Sequence, residues 1–220
     1  LFRSPDAHFL TEVRYKGTKV VSVSPDYAES TTSSDAWLNV KAGTDAALAM
    51  AMGHVILKEY YIDKETPYFK EYAKEFTDMP FLVRVEDING AVQPGRFLNA
   101  KDLGSKEDGA DFQTVLIDET TNEIVVPNGT MGDRHTNPQK WNLRLENRNT
   151  GAKIDPRLSV FDQRQDVTVV KLPYFGDEEH EGVIERAIPT ITVQTVDGPV
   201  KVTTVYDLIL ANYGIDRGIG

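Results

Sequence analysis

Cysteine is missing from this 220-residue chain. Without it no disulfide, thiolate metal site or iron–sulfur cluster can be assembled from these residues alone. Long apolar runs are missing too. The longest, Ala46 to Leu57, contains Gly53 and His54 and falls short of the roughly 18 residues a spanning helix needs. Positive charge is scarce: 24 Lys and Arg stand against 34 Asp and Glu, a net charge of −10. That balance argues against a nucleic-acid backbone as partner, which demands clustered cations. There is no signal-peptide pattern, no G-x-G-x-x-G or Walker loop, and no G-x-S-x-G nucleophile. His8, His135 and His180 lack metal-ligand spacing.

What is present fits a globular chain, 40% hydrophobic and 26% charged, long enough for one large domain or two small ones. The chain opens at Leu1 on Arg3-Ser4-Pro5-Asp6 and stops after Asp216-Arg217-Gly218-Ile219. The expectation drawn from these ends is an internal piece of a longer polypeptide. Residues 6–16 read as a helix capped by Asp6 and closed by Gly17. The β-branched run 19–23 reads as a buried parallel strand ended by Pro25. Trp37 to Val40 reads as a short strand, and Thr44 or Asp45 as the start of a helix over 45–61, with Leu48, Met52, Val55, Ile56 and Tyr60 on its apolar face. A helix over 67–76 follows, with Pro67 in its first turn. From Phe81 the character turns to β: strand 81–85, a hairpin at Asn89-Gly90, strands 112–117 and 123–126, then turn-rich sequence to 160. The runs 166–171, 190–194 and 200–203 and a closing helix over 205–213 complete the chain. The reading is α/β: a unit over 1–80, a mixed, loop-rich β insertion over 81–202, and a 203–220 helix returning to the first unit.

Chemistry gathers where strand 19–23 ends and helix 45–61 begins, the place where open α/β sheets bind nucleotides. An Asp in the first turn of a helix ordinarily acts only as a cap or dipole partner. In Gly43-Thr44-Asp45 it has a second use. Guanine presents adjacent N1–H and N2–H donors that one carboxylate can accept, and Gly43 lets the backbone approach. Ser24-Pro25-Asp26, about 20 residues earlier, would face it and meet ribose or phosphate oxygens. His54 reads as a core or boundary histidine with one satisfied nitrogen. Asp177-Glu178-Glu179-His180-Glu181 reads as a solvated acidic loop. No catalytic nucleophile or metal ligand stands out.

The stretch Ser24-Pro25-Asp26-Tyr27 and Lys41-Ala42-Gly43-Thr44-Asp45 through Ile56 resembles the molybdopterin oxidoreductases of the dimethyl sulfoxide reductase family. Asp6-Ala7-His8-Phe9, Thr77-Asp78-Met79-Pro80, Gly95-Arg96-Phe97-Leu98 and Val126-Pro127-Asn128-Gly129 support it. Lys140-Trp141-Asn142-Leu143, Pro173-Tyr174-Phe175-Gly176 and Thr203-Thr204-Val205-Tyr206-Asp207-Leu208 point to the branch of respiratory nitrate reductase catalytic (alpha) subunits. The resemblance implies a Rossmann-like nucleotide-binding unit with parallel strands flanked by helices. It implies a parent enzyme that reduces nitrate to nitrite in anaerobic respiration, using molybdenum bis(molybdopterin guanine dinucleotide). This piece would contact one dinucleotide through Ser24, Pro25, Asp26, Gly43, Thr44 and Asp45, and be inactive and cofactor-free by itself. The family's usual Asp-Pro-Arg is replaced here by Ser24-Pro25-Asp26. The molybdenum ligand and a 4Fe-4S cluster would lie elsewhere in the parent. Implied partners are the remainder of the alpha subunit, an iron–sulfur beta subunit and a membrane gamma subunit, at the cytoplasmic face of the cell membrane, with no membrane insertion by this piece. The alternatives are a nucleotide-binding or subunit-docking module without catalysis, residues 81–202 forming the docking surface, and the same chemistry on selenate or chlorate.

Overall fold

The computed structural model describes residues 7–129, 144–173 and 182–219. The Asp6 cap, the turns at Met131-Gly132 and Asn137-Pro138, His135, Trp141 and the acidic loop at 177–181 lie outside the described residues. Contacts divide the chain into two compact units, Leu1–Met52 and Gly53–Gly220. Among the described residues no helix is long and apolar enough to cross a membrane.

In the first unit, α1 (Ala7–Tyr15) ends as its sequence requires. Gly17 N–H donates to Arg14 O and Thr18 N–H to Val13 O, the paired bonds of a Schellman stop. Strands β1 (Val21–Val23) and β2 (Ala36–Leu38) run parallel, Val21 opposite Ala36 and Val23 opposite Leu38. The short helix α2 (Glu29–Thr32) lies between them. Then α3 (Asp45–Ile56) starts, and it crosses the unit boundary. The expectation of a buried β1 is not met: Val21 and Val23 are 53% and 48% exposed. A strand with one partner in a two-stranded pair lacks the neighbours that bury a parallel strand on both faces. Likewise, on α3 only Leu48 of the expected apolar face is half-buried, whereas Met52, Val55 and Ile56 are exposed.

The second unit is mixed α/β, and its large sheet is antiparallel. After α3 the chain widens into a π-helical segment over Leu57–Asp63, where α-helix was expected, and α4 (Pro67–Phe76) follows with the expected bounds. Thr77 stops α4, its hydroxyl donating to Ala73 O at 2.6 Å and accepting from Met79 N–H at 3.2 Å. Strands β3 (Leu82–Ile88) and β4 (Ala91–Phe97) are joined by Asn89 and Gly90, both at positive φ, 57° and 81°, as a type I′ hairpin demands. Residues 112–117 do not form one strand. A 3-10 turn takes Ala110–Phe112, and only β5 (Leu116–Ile117) pairs with β6 (Ile124–Val125). β7 (Pro127–Asn128) pairs with β8 (Arg144–Asn147). β9 (Asp166–Pro173), β10 (Val183–Thr195) and β11 (Gly198–Thr204) complete a sheet of order β4-β3-β11-β10-β9.

β10 changes partner along its length. Residues 183–190 pair with β9 and 191–195 with β11. At the switch Ile188, Pro189 and Thr190 are buried in succession, where a flat strand would alternate. The sheet curls so that its edges β4 and β9 approach each other. Leu82, Leu98, Val115, Val160 and Val202 fill one core. Leu57, Tyr61, Ala73, Tyr206, Leu210 and Ile215 fill another, beneath the last helix, α5 (Val205–Asn212). As expected, His54 is half-buried with one nitrogen satisfied, Nδ1 lying 2.7 Å from Tyr213 O.

Two of the three buried carboxylates among the described residues, Asp207 and Asp102, tie distant segments of the second unit together. Asp207, wholly buried, stands third in α5. It accepts from Ser159 Oγ at 2.6 Å, Val160 N–H at 2.9 Å, Thr204 Oγ1 at 2.8 Å and Arg217 Nη1 at 2.7 Å. Thr204, the N-cap, accepts the Asp207 N–H in return. Asp102 accepts from Arg96 Nη1 at 2.7 Å and Asn99 N–H at 3.1 Å, with Arg84 beyond at 3.3 Å. Burial pushes the Asp102 carboxyl up, but the Arg96 guanidinium, the Asn99 N–H and the Arg84 charge outweigh it and hold it below the usual carboxylate range.

Replacing Asp207 by Ala strands Arg217 and three other donors. The expected cost is about 3–5 kcal/mol, read from urea unfolding of the chain; a loss within experimental error would remove Asp207 from this role. For Asp102 the folded carboxyl titrates below its unfolded value of about 3.9. Its contribution is therefore complete above that pH and is lost as pH falls through the folded value. Asp102→Asn should lower the urea midpoint at pH 7 yet narrow its gap to wild type at pH 3; an equal gap at both pH values contradicts this.

Candidate functional site

The parallel register fixes the site. Because Val23 is opposite Leu38, the chain leaves both strands at the same sheet edge, entering Ser24-Pro25-Asp26 from β1 and the approach to Gly43-Thr44-Asp45 from β2. The carboxyl ends of parallel strands are where α/β sheets hold ligands. All six residues singled out in the sequence belong to segments that start from this edge.

Each segment is locally held. Ser24 Oγ donates to the Asp26 carbonyl oxygen at 2.8 Å, with an Asp26 carboxylate oxygen close by at 3.1 Å. Ser24 N–H donates to Leu38 O, continuing the ladder one residue past β1. In the second segment Thr44 closes the turn twice, N–H and Oγ1 both donating to Lys41 O, at 3.1 and 2.6 Å. Gly43 sits at φ +84° with nothing within 4 Å of where a Cβ would stand. That backbone suits glycine, and it leaves the turn open to an approaching ligand. Asp45 opens α3, exposed, and its carboxylate has no hydrogen-bond or ion-pair partner among the described residues.

Support for the first segment comes from residues the sequence reading passed over. Trp37, in the middle of β2, donates Nε1–H to Ser24 O at 2.9 Å and meets the Tyr27 ring edge-on, centroids 5.4 Å apart. Asp35 accepts from Val20 N–H at 2.8 Å and from Arg14 Nη2 at 2.7 Å. The Arg14 guanidinium and the Val20 N–H hold the Asp35 carboxyl below its ordinary range. The signal available in the sequence was an indole at the centre of a strand too short to bury it.

Trp37→Phe keeps the ring against Tyr27 and deletes the indole donor. Amide exchange at Ser24 should then quicken, by about five- to tenfold for one lost hydrogen bond, in hydrogen-exchange NMR; unchanged protection would show that the ring contact alone holds the loop.

The molybdopterin oxidoreductase family matches residues 3–197. The nitrate reductase alpha chain of Bacillus subtilis is 50% identical over 220 residues, all of this chain and 18% of that protein. The respiratory nitrate reductase 1 alpha chain of Escherichia coli is 45% identical over 229 residues, covering 99% of this chain and 18% of that protein. The perchlorate reductase subunit alpha of Dechloromonas aromatica is 39% identical over 135 residues, 60% of this chain and 13% of that protein. The chain thus spans about a fifth of the length of the nitrate reductase relatives it matches.

Proposed function

The chain belongs to the molybdopterin oxidoreductase family, and on that premise we propose that it forms one wall of the cofactor site in the catalytic subunit of a molybdenum-dependent nitrate reductase. Identity to nitrate reductase alpha chains along nearly the whole chain supports nitrate as the substrate. The perchlorate and chlorate reductase relatives match over only 60% of it. The metal–pterin cofactor of this family supplies two-electron redox chemistry. The residues described here bind and orient it.

In this reading the β1–β2 pair and α3 are the start of a Rossmann-like sheet, and the dinucleotide's guanosine end lies across the shared edge. The observation that carries the reading is the unpartnered, exposed Asp45 carboxylate beside the open Gly43 turn. Asp45 accepts the N1–H and N2–H of guanine together, a charge-assisted bidentate contact. Adenine, with a ring acceptor at N1, is repelled. Gly43 admits the base without a Cβ in its way, and Thr44 holds the turn through Lys41. A carboxylate at Asp26 disfavours a phosphate beside it, so Ser24 and Asp26 serve the ribose hydroxyls, which both donate and accept. Pro25 fixes the backbone between them.

The remaining elements of the proposal follow the family. The bis(molybdopterin guanine dinucleotide) cofactor, the 4Fe-4S cluster and the chemistry at molybdenum rest on the rest of the alpha subunit. Beta and gamma subunits join it at the cytoplasmic face of the membrane. This chain alone offers one side of the nucleotide crevice and does not reduce nitrate; recovering nitrate reduction from it with reduced viologen would contradict that.

Calorimetric titration of the chain with GMP, and with AMP as control, tests the site. GMP should bind in preference to AMP, and Asp45→Ala should abolish the preference, an effect of about 10- to 100-fold for a charge-assisted contact. Equal affinity for the two nucleotides in the unmodified chain would remove Asp45 from this role.

A further inference from the structure

Two Asn-Gly pairs stand in the sequence, at Asn89-Gly90 and Asn128-Gly129. Such pairs undergo a reaction that needs no enzyme. The glycine nitrogen, once it has lost its proton to solvent base, attacks the asparagine Cγ. A C–N bond forms, the Cγ–Nδ2 bond breaks, and ammonia leaves. Water then opens the cyclic imide at either carbonyl, giving aspartate or isoaspartate. Glycine favours the attack because no Cβ crowds its nitrogen. The step that a folded protein can oppose is the loss of the N–H proton.

The first pair lies where solvent reaches it. Asp87, Ile88, Asn89 and Gly90 are all exposed, and nothing stands within 4 Å of where a Gly90 Cβ would be. Yet the reacting nitrogen is not free. Gly90 N–H donates to Asp87 Oδ1 at 2.8 Å. The proton that must leave is the one this carboxylate holds. The nitrogen anion left behind would stand beside a negative charge, which disfavours it. Water would satisfy the exposed N–H as well as Asp87 does, but water carries no charge to resist the proton's departure. The hairpin itself is closed elsewhere: Ile88 is opposite Ala91 and Asp87 opposite Val92, around a turn that Asn-Gly already specifies.

We infer that Asn89 is a latent deamidation site at the tip of the β3–β4 hairpin, restrained by the Asp87 carboxylate on the Gly90 N–H. The site is independent of the nucleotide edge and of the cofactor reading. Conversion places a second carboxylate two residues from Asp87. The iso product also adds a backbone atom to a two-residue turn, whose length sets the register of β3 against β4.

The chain and Asp87→Ala are aged side by side at mildly alkaline pH, and the two Asn-Gly peptides are followed by mass spectrometry. Asn89 should deamidate about three- to tenfold faster in the variant, the weight of one exposed hydrogen bond. Asn128 serves as the internal reference and should keep its rate. Hydrogen exchange should quicken at Gly90 while the Ile88–Ala91 pair stays protected. In concentrated urea, where the contact is absent, chain and variant should deamidate alike at Asn89. Equal rates at Asn89 in the two folded proteins, or an equal acceleration at Asn128, overturns the inference. So does lost protection across the Ile88–Ala91 pair, which would assign the change to hairpin opening, or a difference that persists undiminished in urea.

Discussion

A carboxylate sealed from water, that of Asp207, is the constraint on which residues 53–220 depend. An ionised group in so dry a place persists only when its charge and lone pairs are matched. Here the matching groups come from three stretches: the 159–160 loop, the Thr204 cap and Arg217. Satisfying one side chain therefore pins the start of α5, the end of β11 and the segment after α5 to one another. The helical core of Leu57, Tyr61, Tyr206, Leu210 and Ile215 inherits its geometry from that anchor.

Local rules carried much of this fold in readable form. The bounds of α4 follow from Pro67 and the aromatic spacing after it, and the β3–β4 hairpin from Asn89-Gly90. The Schellman stops at Gly17 and Gly214 follow from glycine after an amphipathic run. Other features are not local. No periodicity separates a π-helical turn from an α-helical one over Leu57–Asp63, because the difference is one residue in where each N–H finds its acceptor. The exchange of partners along β10 is likewise decided by which strands meet it. The burial of Val21 and Val23 was misjudged for a related reason. Apolar sequence states what a strand tolerates, while its neighbours decide whether it is covered.

At the proposed nucleotide edge, the turn at Gly43-Thr44 and the helix start at Asp45 were legible because the glycine and the acid are consecutive in sequence. The indole strap from Trp37 to Ser24 was not, since it joins residues 13 apart through a backbone carbonyl.

The bond between His54 and Tyr213 joins residues 159 apart in sequence, and a comparably long span of chain separates Leu57 and Tyr61 from Tyr206 and Leu210 in the helical core. Loop closure of that length is slow, and its entropic cost precedes any reward from contacts. During synthesis, at roughly 5–20 residues per second, Leu57 and Tyr61 leave the ribosome about seven to thirty seconds before α5 exists to cover them. Through that interval the β3–β4 hairpin can form, but the helical layer stays open to water. Until α5 emerges, Leu57 and Tyr61 lack the cover that Tyr206 and Leu210 provide, and truncation just before α5 leaves that layer unclosed.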